Sequence, residues 1–126
     1  MLVSLIIRYI DNSIPLRLLI AECEHPATIL SALYFAKKYG IDKSLDISPL
    51  FETSISIERG ARILEQALDC KPFYNYINNR KRIAIQTGFS DAGRFMGQIT
   101  SSLAVERLQV KLAEIFQKKL SKKIEV

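Results

Sequence analysis

The chain has 126 residues, of which 48% are apolar, so it is long enough for one compact domain with a core and too short for two ordinary domains. The same apolar fraction excludes wholesale disorder. The net charge of +5 is concentrated in the clusters Arg80–Arg82 and Lys118–Lys123, without a helix-turn-helix, a zinc-ligand spacing or an RNA-binding aromatic motif. We therefore interpret both clusters as solvated surface and expect no nucleic-acid partner.

The first ten residues are apolar but lack the pattern of a targeting or membrane segment. Arg8 interrupts the run, Asp11 follows it, and neither a basic region nor a small-residue cleavage site flanks it. We expect neither a secretion signal nor a membrane span. Cys23 and Cys70 lack the CxxC spacing of metal and redox sites, so we expect both to be buried, reduced thiols of a cytoplasmic protein.

The first part of the chain predicts a helix, a strand and a second helix. Leu2–Tyr9 carries apolar residues at helical spacing, and Pro15 marks the turn after it. Leu16–Cys23 is a short apolar run with little alternation, which predicts a buried strand. The next helix, Pro26–Tyr39, begins with a residue favoured at the first helical position and precedes a glycine that suits a helix end.

The rest of the chain predicts two more strands, each followed by helical sequence. The strands are Leu45–Phe51 and Arg82–Thr87. The helices are Ile57–Leu68 capped by Ser56, the short Phe73–Asn78, and a long final helix, Ala92–Leu120. The predicted buried stripe of the first of these helices is Ile57, Ala61, Leu64 and Leu68; that of the last is Phe95, Ile99, Leu103, Leu112, Ile115 and Phe116.

This alternation of strands and helices predicts an α/β fold in which three strand-helix units pair in parallel through right-handed crossovers. Three units cannot close a parallel barrel, which needs eight strands. The chain is therefore expected to form either a small open sheet or a slice of a larger protein.

Two acidic residues follow two of the predicted strands. Glu52 comes directly after Leu45–Phe51, and Asp91 stands a few residues after Arg82–Thr87. Parallel strands would bring both carboxylates to one edge of the sheet, where they repel one another unless a proton or cation intervenes. Mg²⁺ suits such a pair because it prefers oxygen ligands and often takes only one or two carboxylates. The alternative is that Asp91 simply caps the helix that follows it.

His25 and Arg94 are further candidates near the same edge. His25, the only histidine, could carry a proton, or it could cap the helix that begins at Pro26. Arg94 follows Asp91 by about one helical turn and could bind a phosphate or carboxylate, or it could form a surface pair with Asp91.

Three segments together resemble phosphoenolpyruvate carboxylase. Leu19-Ile20-Ala21-Glu22-Cys23-Glu24-His25-Pro26 is similar to a strand and helix start of that family. Pro49-Leu50-Phe51-Glu52-Thr53 matches its Pro-Leu-Phe-Glu-Thr segment in full, and Gly88-Phe89-Ser90-Asp91 matches its Gly-Tyr-Ser-Asp segment with one change. The resemblance extends over roughly residues 15–117.

The resemblance implies an enzyme that adds bicarbonate to phosphoenolpyruvate and forms oxaloacetate and phosphate. It implies a helix-rich fold around an eight-stranded barrel, of which residues 1–126 would be a single partial-barrel domain, and a homo-oligomeric assembly. By position, Glu52 and Asp91 would be ligands of the divalent metal, Mg²⁺ or Mn²⁺, and Arg94 would stand where the family has a catalytic-site lysine.

Other parts of the family's active site do not match this sequence. The family's catalytic histidine and phosphate-binding arginines lie outside the matched segments, and His25 does not correspond to that histidine. We therefore expect the chain to be inactive without the remainder of a parent polypeptide, and to self-associate through uncovered apolar surface. The alternatives are a non-catalytic interaction module and another metal-dependent barrel enzyme acting on phosphoenolpyruvate or pyruvate.

Overall fold

The computed structural model describes residues 16–88 and 97–120, together with Leu5 and Tyr9. Both of these isolated residues are helical, and the rest of the predicted helix Leu2–Tyr9 lies outside the described residues. The elements in chain order are β1 (Leu16–Ile20), α1 (Pro26–Lys38), β2 (Leu45–Phe51), α2 (Ser54–Asp69), α3 (Lys71–Arg80), β3 (Gln86–Thr87) and α4 (Gln98–Lys119). The sheet order is β1-β2-β3 and both pairings are parallel, which confirms a helix-rich α/β fold with three parallel strands and a long last helix.

The central strand β2 is paired with β1 along its length but with β3 only at its carboxyl end. β1 pairs from Leu16↔Leu45 to Ile20↔Pro49, whereas β3 contributes two pairs, Leu50↔Gln86 and Phe51↔Thr87. The predicted strand Arg82–Thr87 is therefore too long.

A tyrosine explains why β3 is short. The Tyr76 hydroxyl accepts a hydrogen bond from the Ile47 backbone N–H (3.0 Å) and donates one to the Leu45 carbonyl (2.7 Å). The Tyr76 hydroxyl thus bonds the two backbone groups of β2 that a longer β3 would otherwise have paired with. Burial is the main reason why the pKa of Tyr76 lies above its usual value, so the hydroxyl keeps its proton.

The edge strand β1 is more exposed than its apolar sequence predicts. Leu18 and Leu19 are 39% and 43% exposed, and the strand ends at Ile20 rather than at Cys23. A strand with a neighbour on one side only keeps part of its apolar surface in solvent, so the prediction of a buried strand is wrong for β1.

Helix α2 begins three residues earlier than predicted because Thr53, not Ser56, is its cap. The Thr53 hydroxyl accepts from the Ser56 N–H (3.1 Å), and the Ser56 hydroxyl accepts from the Thr53 N–H (3.0 Å). This reciprocal pair is a capping box with serine at its third position. The predicted stripe is confirmed, since Ile57, Ala61, Leu64 and Leu68 are all buried.

The core lies where α2 packs between β2 and α4. A Cβ atom at Gly60 would stand 3.1 Å from the Leu108 side chain and 3.2 Å from the Phe51 ring. The absence of a side chain at Gly60 is what lets the three elements approach this closely.

Helix α4 differs from its prediction in both start and face. It begins at Gln98, after Gly97, whose φ of 79° is not helical. A single helix from Ala92 through Leu120 is therefore wrong, and residues 89–96 lie outside the described residues. The buried stripe is Ser101, Val105, Leu108, Leu112 and Phe116, while Ile99 and Leu103 are exposed, contrary to the prediction. None of the helices among the described residues is long and apolar enough to cross a membrane.

Candidate metal centre

Glu52 lies at the carboxyl edge of the sheet, directly after β2. It is half-buried, and its Oε1 accepts a long hydrogen bond of 3.4 Å from the backbone N–H of Glu22. Glu22 stands just past the end of β1, with a φ of 48° that is uncommon for a residue with a side chain. Glu52 is therefore held by a backbone group of the neighbouring strand unit, and among residues 16–88 and 97–120 its carboxylate has no other hydrogen-bond donor.

Gly88 brings the third matched segment into contact with Glu52. Its backbone N–H donates to the carbonyl of Phe51 (3.0 Å), which continues the β2–β3 pairing by one residue. A Cβ atom built on Gly88 would lie 3.0 Å from the Cβ of Glu52. Any residue other than glycine at position 88 would therefore push against the base of the Glu52 side chain.

Thr53 links this edge to the loop after β1. Its hydroxyl, which caps α2, also donates a hydrogen bond to Oε1 of Glu24 at 3.0 Å. Glu24 is exposed, as is Glu22. Within residues 16–88 and 97–120, no group of three or more His, Cys, Asp or Glu side chains is arranged to hold a metal ion.

The other two predicted site residues cannot be placed relative to Glu52. Asp91 and Arg94 both lie outside the described residues. Their proposed roles as metal ligand and catalytic residue therefore stay predictions from the sequence.

His25 caps α1, which confirms the simpler of its two interpretations. Its Nδ1 accepts a hydrogen bond from the Ala27 N–H at 3.1 Å, and Pro26 occupies the first position of the helix. A ring nitrogen used in this way is not free to take a proton from a substrate.

Cys23 is a buried thiol beneath the same edge, as predicted. It is fully buried, and its backbone N–H donates to the Leu50 carbonyl at 3.3 Å. Burial raises the pKa of Cys23 to about 11, so its thiol is protonated and unreactive near neutral pH. Cys70 is free as well but only half-buried, so for Cys70 the predicted full burial is wrong.

Comparison with known proteins places this arrangement in a family. A family model described as phosphoenolpyruvate carboxylase matches residues 6–123, nearly the whole chain. This chain belongs to the phosphoenolpyruvate carboxylase family. Membership confirms the resemblance that the three segments indicated.

Individual carboxylases are similar to the chain at low identity. A phosphoenolpyruvate carboxylase of Marinomonas sp. is 29% identical over 99 residues, which are 79% of this chain and 11% of that protein. One of Corynebacterium efficiens is 29% identical over 96 residues, covering 69% of this chain and 10% of that protein. Phosphoenolpyruvate carboxylase 3 of Sorghum bicolor is 23% identical over 100 residues, or 79% of this chain and 10% of that protein. The chain thus spans about a tenth of the length of these relatives.

Sequence reasoning missed a buried ion network at the opposite edge of this carboxylase-family sheet. Asp46, only 3% exposed, accepts from Nε of Arg80 (3.0 Å) and from Nη1 of Arg82 (3.1 Å), and Nη2 of Arg80 also contacts it. Two residues of the basic cluster at 80–82 therefore neutralise a buried acid instead of forming free surface charge. The sequence does contain a sign of this network: Asp46 lies inside an apolar strand, and a buried carboxylate needs a charged or hydrogen-bonding partner.

The second basic cluster is also partly engaged within the fold. Nζ of Lys119 lies 3.7 Å from a carboxylate oxygen of Glu65 and also contacts Asp69, which joins the end of α4 to the end of α2. Lys122 and Lys123 of this cluster lie outside the described residues.

Proposed function

We propose that this chain is the metal-binding part of the barrel of a phosphoenolpyruvate carboxylase, which adds bicarbonate to phosphoenolpyruvate and forms oxaloacetate and phosphate. The observation that carries the proposal is the contact between two matched segments. Glu52 ends the Pro-Leu-Phe-Glu-Thr segment, and Gly88, the first residue of the second acidic segment, packs against it. Gly88 thus lies beside Glu52 at one edge of a parallel sheet, which supports the proposal that the acid of its segment, Asp91, shares an ion with Glu52.

Chain length limits how far the second proposed ligand can be from the first. Asp91 follows Gly88 by three residues, so their Cα atoms are at most about 11 Å apart. Because Gly88 lies beside Glu52, this limit is compatible with the proposal that both carboxylates bind one cation. Two carboxylates with room for water and substrate oxygens fit Mg²⁺ or Mn²⁺.

Each residue then has a distinct task in the proposed site. A divalent cation held by Glu52 and Asp91 would act as a Lewis acid for the enolate oxygen of phosphoenolpyruvate as phosphate leaves. The backbone N–H of Glu22 orients the carboxylate of Glu52, and the absence of a side chain at Gly88 leaves room for it. Arg94 supplies positive charge for a phosphate or carboxylate of the substrate, where a lysine would lack the bidentate geometry.

The sheet supports the barrel part of the proposal. Its order β1-β2-β3 is the order of consecutive strands in a (β/α) barrel, and the edge strand β1 keeps two leucines, one on each face of the sheet, exposed. We propose that residues 1–126 form one partial-barrel domain that the remaining polypeptide completes. On this proposal the chain alone produces no oxaloacetate, because the family's histidine and arginines lie outside its matched segments.

Mn²⁺ binding to the 126-residue chain tests the proposed ligands. Glu52→Gln should weaken binding, measured by electron paramagnetic resonance of free Mn²⁺, by at least about tenfold because it removes a carboxylate ligand. Glu58→Gln is the matched control, since Glu58 is an exposed acid on α2 and makes the same change in net charge. Equal effects of the two substitutions would reject Glu52 as a ligand.

The open strand edge favours a second candidate, a non-catalytic interaction module. β1 exposes Leu18 and Leu19 at the margin of the sheet, a surface that another polypeptide could cover. If Mn²⁺ binding does not depend on Glu52, this candidate becomes the better account of the chain.

A further inference from the structure

A pocket lies at the amino-terminal edge of the sheet, on the other side of the molecule from Glu52. It has a volume of about 340 Å³ and lies between the end of α1, the residues before β2 and the last turn of α3. The lining residues are Lys37, Asp42, Lys43, Tyr76, Asn79 and Arg80. This volume is at the small end of the range for ligand sites, roughly 300–1,000 Å³.

The pocket carries an excess of positive charge. Lys37, Lys43 and Arg80 supply three cationic groups against the single carboxylate of Asp42. Both lysines are exposed, and among the described residues neither ammonium group forms an ion pair. The positive charge of the two lysines is therefore available to a ligand.

Arg80 forms a fixed wall of this pocket. Its guanidinium is anchored by Asp46 and by the carbonyl of Lys43, so its planar fork is already engaged. Asp46 is shared with Arg82, which offsets the charge of that buried carboxylate. The positive charge of Arg80 is thus held in place before any ligand arrives.

We propose that this pocket binds a small molecule carrying a dianionic phosphate group. Flexible lysines act as point charges that suit a compact phosphate, whereas a planar carboxylate is best bound by an arginine fork, which is committed here. The amide of Asn79 adds a neutral hydrogen-bond donor. A phosphate monoester with a charge near −2 matches the excess charge of the lining.

The phosphate pocket is separate from the proposed metal centre. Lys43 precedes β2 and Glu52 follows it, so the seven residues of the strand lie between them. At a rise of about 3.3 Å per residue, the strand alone separates the two sites by about 23 Å. The inference therefore does not depend on the proposed carboxylase function.

Calorimetric titration with inorganic phosphate at constant ionic strength tests the inference on the 126-residue chain. The double substitution Lys37→Met and Lys43→Met should weaken phosphate binding at least about tenfold, because it removes both available charges. Lys38→Met is a single-charge control outside the pocket, since Lys38 is exposed on the same helix but does not line the pocket. It should change the affinity less than about twofold.

Two further variants separate the possible outcomes. Asp42→Asn should tighten phosphate binding by removing the one negative charge of the pocket, and Glu52→Gln should leave it unchanged. Circular dichroism of each variant confirms that the fold is retained. Equal weakening by Lys38→Met and by the double substitution, or no measurable phosphate binding by the unmodified chain, would overturn the proposal.

Discussion

Asp46→Asn is the substitution whose effect on folding the structure predicts most sharply. The Asp46 side chain is 4% exposed and accepts hydrogen bonds from two arginines, one 14% and the other 34% exposed. Asparagine keeps the shape of the side chain but turns an amide donor toward guanidinium donors. It also leaves the largely buried charge of Arg80 without its counterion.

The expected cost is about 3 kcal/mol in the free energy of unfolding. Breaking a buried ion pair costs about 3–5 kcal/mol, and the lower end applies because Arg82 is a third exposed and solvent screens its share. Domains of this kind unfold with a free energy of about 5–15 kcal/mol, so the loss is a large fraction of the total.

Urea unfolding followed by far-ultraviolet circular dichroism measures this loss. The midpoint should fall by about 1.5 M at an unchanged slope, given a slope near 2 kcal/mol per M. Asp42→Asn is the control because it makes the same chemical change outside the network, and it should cost less than about 0.5 kcal/mol. A loss below about 1 kcal/mol for Asp46→Asn, or an equal loss for the control, would refute the reasoning.

Three other predictions concern the cap, the buried thiol and the open edge. Thr53→Ala should cost about 1 kcal/mol in urea unfolding, because α2 loses its cap, and Thr53→Ser should recover most of it. The folded state raises the pKa of Cys23 from 9.0 to about 11, so the contribution of the protonated thiol to stability is complete below pH 9 and is lost as the pH rises to 11. Cys23→Ala should therefore flatten the plot of unfolding free energy against pH between pH 9 and 11. Exposed Leu18 and Leu19 should make the chain self-associate in sedimentation equilibrium, and lysine at both positions should shift it toward monomer; an unmodified chain that stays monomeric at high concentration contradicts this.

Local sequence patterns correctly predicted the elements whose apolar residues are buried in the core of this chain. The bounds of β2 match the apolar run Leu45–Phe51, and the α2 stripe follows from residues at helical spacing. In both cases the residues that predict the element all lie within that element.

The failures concern features that depend on distant residues. β3 is short because Tyr76, which precedes it on α3, occupies the edge of β2. The exposed Ile99 and Leu103 of α4 have the same spacing as core residues, and only packing against α2 decides which side of the helix is buried. No window along the sequence contains these contacts.

For Glu52, the position at the sheet edge was predictable from the sequence, but its contacts were not. Parallel strands place Glu52 at the carboxyl edge, so this part followed from the order of elements. Its bond to the Glu22 N–H depends on the turn of the chain after β1, and its proximity to Gly88 depends on the register of β3. Neither quantity can be read from a motif.

The two ends of β2 have different roles: the amino end stabilises the fold, and the carboxyl end carries the proposed metal ligand. At the amino end, Asp46 is fixed by two arginines in a buried network. At the carboxyl end Glu52 is half-buried, and the described part of the chain gives its carboxylate one hydrogen bond, of 3.4 Å. A carboxylate that must accept a cation needs unused lone pairs, and one that closes a fold must have them filled. Substitutions at Asp46 should therefore alter folding strongly, and those at Glu52 should alter metal binding at little cost in stability.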